Sequence, residues 1–221
     1  MGSVRFGVPQ DLVLWARETF KIRSFIETGT NRAQTAVWAA QHFPKVTTIE
    51  GQESLYNAAL SNYGQSTPIQ FLHGDSRALL GPTLEAASES AILWLDAHWC
   101  GEGTFGPTAE CPLLEELDVA NRSPQEHVIL IDDARLFVAP PPLPHSHKDW
   151  PDLLEVSAKL LQGPFPRYAV IVEDVIVAVP SSGREALVDF VRSRPAPKDT
   201  EHRSSLPKKL LRFAMGSRRR A

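Results

Sequence analysis

The sequence predicts an α/β protein built on a mostly parallel β-sheet with one reversed strand. Strand-like apolar runs alternate with helix-like patterns five times along the chain, which is typical of a parallel sheet flanked by helices. Residues 91–96 are apolar up to the last position, as expected for a strand with both faces buried. Two later runs, 168–172 and 175–179, are separated by only two residues, so they must pair as an antiparallel hairpin.

The first half of the chain predicts a leading helix and three strand–helix repeats. Residues 9–22 carry Leu12, Trp15, Ala16 and Phe20 at helical spacing, which indicates an amphipathic helix. The same periodicities, with Pro44 as a helix stop, predict strand 24–27, helix 35–43, strand 46–50, helix 53–62, strand 69–72 and a helix that carries Leu79, Leu80 and Leu84.

The second half completes the sheet and adds a tail. The predicted elements are strand 91–96, helix 110–120, strand 127–132, helix 150–161 and the hairpin 168–179, with a stiff proline-rich loop at 140–144. After about Arg194 the chain is rich in charge and interrupted by prolines. We therefore expect an N-terminal helix (1–23), one domain (24–194) and a basic, flexible tail (195–221).

Composition places the chain among ordinary soluble domains. Its 221 residues suffice for a sizeable core, with 43% hydrophobic and 22% charged residues. No apolar run approaches the roughly 20 residues of a membrane span, and a signal-peptide pattern is absent, so we expect a cytoplasmic location. Cys100 and Cys111 are expected to be free thiols, because their spacing, with His98, does not match a zinc knuckle.

Charge is distributed unevenly. From Arg203 onward there are seven Lys and Arg residues and no acid, which leaves −10 on the rest of a chain whose net charge is −3. An acidic body argues against nucleic acid as the main substrate. Leucines interleave with the basic residues of the tail, so contact with an anionic membrane or RNA stays open, although a solvated or partner-docking terminus is favoured. The oligomeric state is open, with a homo-oligomer as one expectation.

The segment Phe25 to Arg32 is a short strand that breaks at Gly29 and runs into a helix. In open α/β sheets this arrangement binds nucleotide-like ligands against the helix N-terminus. Glu27 would repel a phosphate but suits an ammonium group. The dinucleotide pattern would need glycines where Asn31 and Gln34 stand, so a pyrophosphate fits poorly.

Glu50 closes the second strand, where an acid typically binds ribose hydroxyls. An adenosine that carries an amino acid instead of phosphates fits these features, and S-adenosylmethionine is such a molecule. Asp75, after the third strand, is placed to meet the adenine amino group, or it caps the next helix, as Ser76 also could. The predicted donor-binding residues are Glu27, Thr28, Gly29, Thr30, Asn31, Glu50, Gly51, Asp75, Ser76 and Asp96.

Acidic residues also end the fourth and fifth strands. Asp96 closes one, and Asp132 and Asp133 close the other. Neighbouring strands lie about 4.8 Å apart, so these carboxylates could share one cation, although each could instead cap a loop or helix. Oxygen ligands favour a hard ion, Mg²⁺ or alternatively Mn²⁺ or Ca²⁺.

Histidines near these acids are candidates for a general base. His98 follows Asp96 by two positions and could be a metal ligand or the base that takes a hydroxyl proton. His145 and His147 lie in the irregular connection 139–151, which, like 101–109, is either a lid or a solvated loop. They are the second candidates.

Taken together, these motifs resemble class I S-adenosylmethionine-dependent methyltransferases. The resemblance rests on Phe25 to Arg32, Ile49-Glu50, Gly74-Asp75, Leu95 to His98 and Ile131 to Asp133, and it extends over residues 24–180. It is closest to the macrocin O-methyltransferase-like family of metal-dependent enzymes that act on sugar hydroxyls. It implies a Rossmann-like methyltransferase fold, with a seven-stranded sheet in the order 3-2-1-4-5-7-6, a C-terminal antiparallel hairpin and helices on both faces. It also implies donor binding by the Glu-Thr-Gly turn, and Mg²⁺ on Asp96, Asp132 and Asp133. Asn31 and Ala33 stand where the superfamily commonly has glycine.

The expected function is metal-assisted O-methylation of a small molecule or sugar. The cation would bind and acidify an acceptor hydroxyl near Asp96, and His98 would remove its proton. Two alternatives stay open. One is a metal-dependent hydrolase or hydroxylase on the same scaffold, including an Fe(II) oxygenase that uses His98. The other is a non-catalytic protein that binds the cofactor or a partner.

Overall fold

A computed structural model describes residues 7–65, 68–98 and 110–194, which contain seven strands and eight α-helices. The strands are β1 (Ser24–Thr28), β2 (Lys45–Glu50), β3 (Ile69–His73), β4 (Ala91–Leu95), β5 (Val128–Ile131), β6 (Arg167–Val172) and β7 (Val175–Pro180). The helices are α1 (Gln10–Phe20), α2 (Gln34–Ala39), α3 (Glu53–Tyr63), α4 (Ser76–Ala87), α5 (Leu113–Arg122), α6 (Arg135–Val138), α7 (Leu153–Leu160) and α8 (Arg184–Ser193). None of these helices is both long and apolar enough to cross a membrane.

All seven strands form one sheet in the order β3-β2-β1-β4-β5-β7-β6. The first five strands are parallel, and β7 is antiparallel to both of its neighbours. The predicted Rossmann-like methyltransferase fold, with this strand order and its C-terminal hairpin, is therefore confirmed. The order reverses beside β1, because the chain runs outward to β3 and then returns to β4. In such sheets, ligands bind outside the carboxyl ends of the strands at this reversal.

Register brings the predicted site residues to one edge. Thr28, the last residue of β1, pairs with Ile49 on β2 and with Leu95 on β4. Asp96 therefore follows directly beside the Gly29 turn, and Glu50 ends the strand on the other side. Leu95 also pairs with Ile131, which places Asp132 next to Asp96 along the same edge.

The core lies on both faces of the sheet, and helices cover each face. One face packs against α1, α2 and α8 through residues such as Leu12, Ala36 and Leu187. The other packs against α4, α5 and α7, with Leu80 and Leu117 at its centre. All five residues of β4 are buried, as the apolar run predicted.

Two helices were not predicted from the sequence. In α8, Leu187, Phe190 and Val191 recur at helical spacing and pack on the sheet, a short signal just before the proline-rich tail. The single-turn α6 is too short for a periodic pattern. The predicted helix 150–161 begins only at Leu153, because Asp152 and Glu155 form a capping box that sets its first turn.

Candidate functional site

The glycine turn after β1 is held between the ends of β2 and β4. Gly29 has φ +86°, and a Cβ there would lie 2.2 Å from the Asp96 carbonyl oxygen, so only glycine fits. The Gly29 N–H donates to the Ile49 carbonyl (2.9 Å), and the Asp96 N–H donates to the Thr28 carbonyl (3.1 Å). The backbone therefore fixes the turn relative to both neighbouring strands.

Two further residues of the turn, Asn31 and Ala33, have a left-handed backbone conformation although neither is glycine. Asn31 has φ +46° and Ala33 has φ +59°, values that glycine would adopt readily. Asparagine tolerates this conformation, whereas at alanine it costs roughly 1–2 kcal/mol. Asn31 and Ala33 thus keep a glycine-like backbone, so their side chains do not argue against a binding turn.

The Glu50 carboxylate is oriented at the end of β2 by two backbone amides. Asn31 N–H donates to Oε2 (2.8 Å) and Gln52 N–H donates to Oε1 (2.9 Å), across the bend at Gly51. Each oxygen retains a second lone pair, so the carboxylate can still accept hydrogen bonds from ribose hydroxyls. Its place at the strand end agrees with the predicted role.

Glu27 is a buried carboxyl next to the turn. Thr48 Oγ1 donates to Glu27 Oε2 (2.6 Å), and the Thr30 and Thr48 hydroxyls lie 2.6 Å apart, which forms a short hydroxyl chain. Burial raises the pKa of Glu27 to about 8, against the lowering effect of the Thr48 hydrogen bond, and the charges of Asp96 and Glu50 add to the rise. A positively charged ligand group at this position would relieve that cost.

Asp75 lies at the start of α4 and serves as its N-cap. Its Oδ1 accepts the Arg77 N–H (2.9 Å), and the Arg77 guanidinium binds both carboxylate oxygens, 2.6 Å from Oδ2 at the nearest. These hydrogen bonds hold the pKa of Asp75 below its usual value despite partial burial. The structure therefore supports the capping interpretation, with Ser76 buried as the first helical residue. The adenine contact stays a prediction.

Three carboxylates and a histidine meet at the ends of β4 and β5. His98 Nε2 lies 2.7 Å from Asp133 Oδ2 and 3.7 Å from Asp96 Oδ1. Burial, followed by the charges of its neighbours, raises the pKa of Asp132, and burial likewise raises that of Asp96. The structure thus brings together the four residues predicted here.

Asp133 differs from the other two acids because side-chain partners occupy both of its oxygens. Oδ2 faces His98, and the Arg135 guanidinium contacts Oδ1 and also Asp174 at the turn of the β6–β7 hairpin. Although burial alone would raise the pKa of Asp133, these partners hold it below its usual value. Asp133 therefore orients His98.

The carboxylates at the ends of β4 and β5 fulfil only part of what a cation site requires. Asp96 and Asp132 are oxygen donors whose mutual repulsion a cation would relieve, which fits a hard ion. Asp133, however, is turned toward His98 and Arg135. In the part of the chain that the structure describes, no three His, Cys, Asp or Glu residues are arranged to hold a metal.

The two histidines predicted as second candidates for the base, His145 and His147, lie in different surroundings. His145 Nδ1 lies 3.1 Å from Glu110 Oε2, and its ring packs edge-on against Trp150. Trp150 also contacts His98, with ring centroids 5.3 Å apart. His147 is exposed in a 3-10 turn (His147–Asp149). His145 is thus beside the site, whereas the predicted 101–109 connection and Cys100 lie outside the described residues.

Sequence reasoning missed Glu110, Trp150 and Arg135. Glu110 is buried and accepts hydrogen bonds from Trp150 Nε1 (2.7 Å) and the Ser146 N–H (2.9 Å), which fixes the 145–150 segment against the start of α5. The partners are up to 40 positions apart in the chain. No local pattern signals such contacts.

The fold is shared with solved methyltransferase structures. No protein-family model matches the sequence, and neither does any curated protein. The O-methyltransferase TomG from Streptomyces achromogenes, involved in tomaymycin synthesis and solved with S-adenosylmethionine, is similar over 80% of this chain and 81% of its own (TM-score 0.56, 16% identity). An O-methyltransferase from Bacillus cereus in complex with S-adenosylhomocysteine is similar over 81% and 84% (0.53, 14%). The methyltransferase PaMTH1 from Podospora anserina, bound to the same product, is similar over 77% and 76% (0.52, 15%). At these identities the likeness establishes the fold.

Proposed function

We propose that this protein is an S-adenosylmethionine-dependent methyltransferase that acts on a hydroxyl group of a small molecule or sugar. One observation carries the proposal. Two buried carboxyls, Glu27 and Glu50, flank an obligatory glycine turn at the point where the strand order reverses. They suit the ammonium and the ribose of a nucleoside that carries an amino acid. Donor- or product-bound O-methyltransferases with the same fold lend support.

On the donor side, each residue has a distinct proposed role. The Glu27 carboxylate would bind the ammonium group, since burial raises its pKa and a cation beside it would offset the cost of the buried negative charge. Thr28 to Asn31 would line the amino-acid portion of the donor, and Glu50 with Gly51 would hold the ribose. When bound, S-adenosylmethionine supplies an electrophilic methyl group on a sulfonium.

On the acceptor side, His98 is the proposed base, with His145 as the second candidate. Asp133 binds His98 Nε2, which favours the tautomer with its basic lone pair on Nδ1. The imidazole would take the acceptor proton while the acceptor oxygen bonds to the methyl carbon. The carbon–sulfur bond breaks at the same time, and the electron pair leaves with the thioether product. Positioning supplies most of the catalysis.

The metal-assisted form, as in macrocin O-methyltransferase-like enzymes, belongs to the same proposal. Asp96 and Asp132 would hold a divalent cation, and Asp133 would join them only after leaving Arg135. A bound Mg²⁺ would supply Lewis-acid assistance to the acceptor hydroxyl. His98 needs no metal to act as a base, so the two parts can be tested separately.

Calorimetric binding of the reaction product and a methyl-transfer assay together test this proposal. S-adenosylhomocysteine should bind the full chain, and labelled methyl should pass from S-adenosylmethionine to a catechol or a vicinal diol. Failure to bind the product overturns the proposal. If neither EDTA nor Asp132→Ala changes turnover, only the metal-assisted part of the proposal is overturned. Metal-dependent hydrolysis of test esters without any donor would favour the alternative hydrolase.

A further inference from the structure

Glu116 is a buried carboxyl that the proposed roles leave unexplained. It lies in the first turn of α5 between Leu113 and Leu117, and only 1% of its surface is exposed. Burial raises its pKa to about 7, against hydrogen bonds from Ser76 and Thr28 that favour the charged form. An acid kept in such a position costs stability, so its presence calls for a partner.

The contacts of Glu116 place its carboxyl at the carboxyl edge of the sheet. Thr28 ends β1 and Ser76 begins α4 after β3, and both hydroxyls lie near enough to the Glu116 carboxyl to lower its pKa. His98, which follows β4, is near enough to stabilise its charge, and Asp75 is near enough to oppose it. Residues from the ends of three strands therefore surround one acid, on the side of the sheet that carries α4 and α5.

One oxygen of this acid is unsatisfied. Among the described residues, no donor reaches Glu116 Oε1, although the atom is buried. Buried polar atoms are almost always hydrogen-bonded, so an orphan at a ligand-binding edge indicates a group supplied by the ligand. Because a carboxylate only accepts hydrogen bonds, that group must be a donor.

S-adenosylmethionine has one hydrogen-bonding group for which no protein partner has yet been proposed. Its hydrogen-bond donors are the ammonium, the ribose hydroxyls and the exocyclic amino group of adenine. Glu27 and Glu50 account for the first two. Asp75 was expected to meet the third, but the Arg77 guanidinium and amide occupy both of its oxygens.

We propose that Glu116 Oε1 accepts a hydrogen bond from the adenine amino group and so makes the site selective for adenosine. This inference rests on the proposed function. The Glu116 carboxyl lies beside the Thr28 and Ser76 hydroxyls, and both residues belong to the predicted donor site. Glu116 thereby takes the role that the sequence suggested for Asp75.

A binding cycle on the full chain tests this hydrogen bond without any methyl-acceptor substrate. Calorimetry compares S-adenosylhomocysteine with its 6-deamino analogue, in which hydrogen replaces the amino group. A hydrogen bond to a charged acceptor should make the natural product bind roughly 10- to 100-fold more tightly to the wild type. In Glu116→Met, which has a similar shape but no acceptor, this preference should disappear. Glu115→Met, at the exposed neighbouring position, should keep it.

The outcomes separate the two proposals. If the wild type binds neither compound, the proposed function fails and this inference fails with it. If the wild type binds both equally, or if Glu116→Met weakens both to the same extent, Glu116 is structural and only the inference is overturned. Should Glu116→Met not fold, Glu116→Gln retains a neutral acceptor and should reduce the preference to about a few-fold.

Discussion

The buried Glu27 carboxyl should make the stability of the fold depend on pH, and Glu27→Gln should remove its share of that dependence. The buried acids Asp96, Asp132 and Glu116, whose pKa values are also raised, keep theirs. Burial raises its pKa from 4.5 to about 8. Between these values, the folded protein binds a proton that the unfolded chain has released. The free energy of unfolding therefore falls as the pH rises through this window, and the destabilisation is complete above the folded pKa.

The size of the effect follows from the width of that window. At about 1.4 kcal/mol for each pH unit, the ceiling is about 5 kcal/mol between pH 4.5 and 8. Glutamine still accepts the Thr48 hydroxyl hydrogen bond but does not titrate. The variant should thus match the wild type near pH 5 and exceed its stability increasingly toward pH 8.

Urea unfolding at intervals from about pH 5 to about pH 9 measures this difference. Glu85→Gln, at an exposed position on α4, is the matched control and should parallel the wild type. Wild-type and Glu27→Gln curves that stay parallel would refute the reasoning. Bound S-adenosylhomocysteine should flatten the wild-type curve, because its ammonium group stabilises the Glu27 carboxylate.

Other parts of the site give further expectations. Gly29→Ala should destabilise the protein by several kcal/mol in urea unfolding, roughly as for other severe backbone clashes, since its Cβ would overlap the Asp96 carbonyl. Gly81→Ala, whose Cβ would meet only Val119 at 3.6 Å, should be neutral or stabilising by up to about 1 kcal/mol. His98→Ala should lower methyl transfer at least about 100-fold while calorimetric binding of S-adenosylhomocysteine stays intact, and lost binding would instead indicate a structural role. Glu110→Ala should cost roughly 1–3 kcal/mol in urea unfolding, because it leaves the buried Trp150 N–H without an acceptor; an unchanged midpoint would contradict that.

Much of the fold follows from local patterns in the sequence. Ala91 to Leu95 are apolar without interruption, and a strand buried on both faces needs that composition. Two residues between β6 and β7 leave no room for a crossover, so the hairpin was determined locally. The helix α8 also carries apolar residues at helical spacing, in a short pattern that ends just before the proline-rich tail.

The sequence also determined which residues reach the functional edge, because side chains at the ends of parallel strands must gather there. Glu27, Glu50, Asp96 and Asp132 are placed in this way. Only the tertiary structure decided which partner each acid has. The Asp75 carboxylate binds Arg77, and the Asp133 carboxylate contacts Arg135 and His98. Glu116 lies on a helix, α5, and one of its carboxylate oxygens has no hydrogen-bond partner among the described residues. Pairing depends on side-chain direction and packing between distant segments, whereas periodicity and turn chemistry report only on neighbours along the chain.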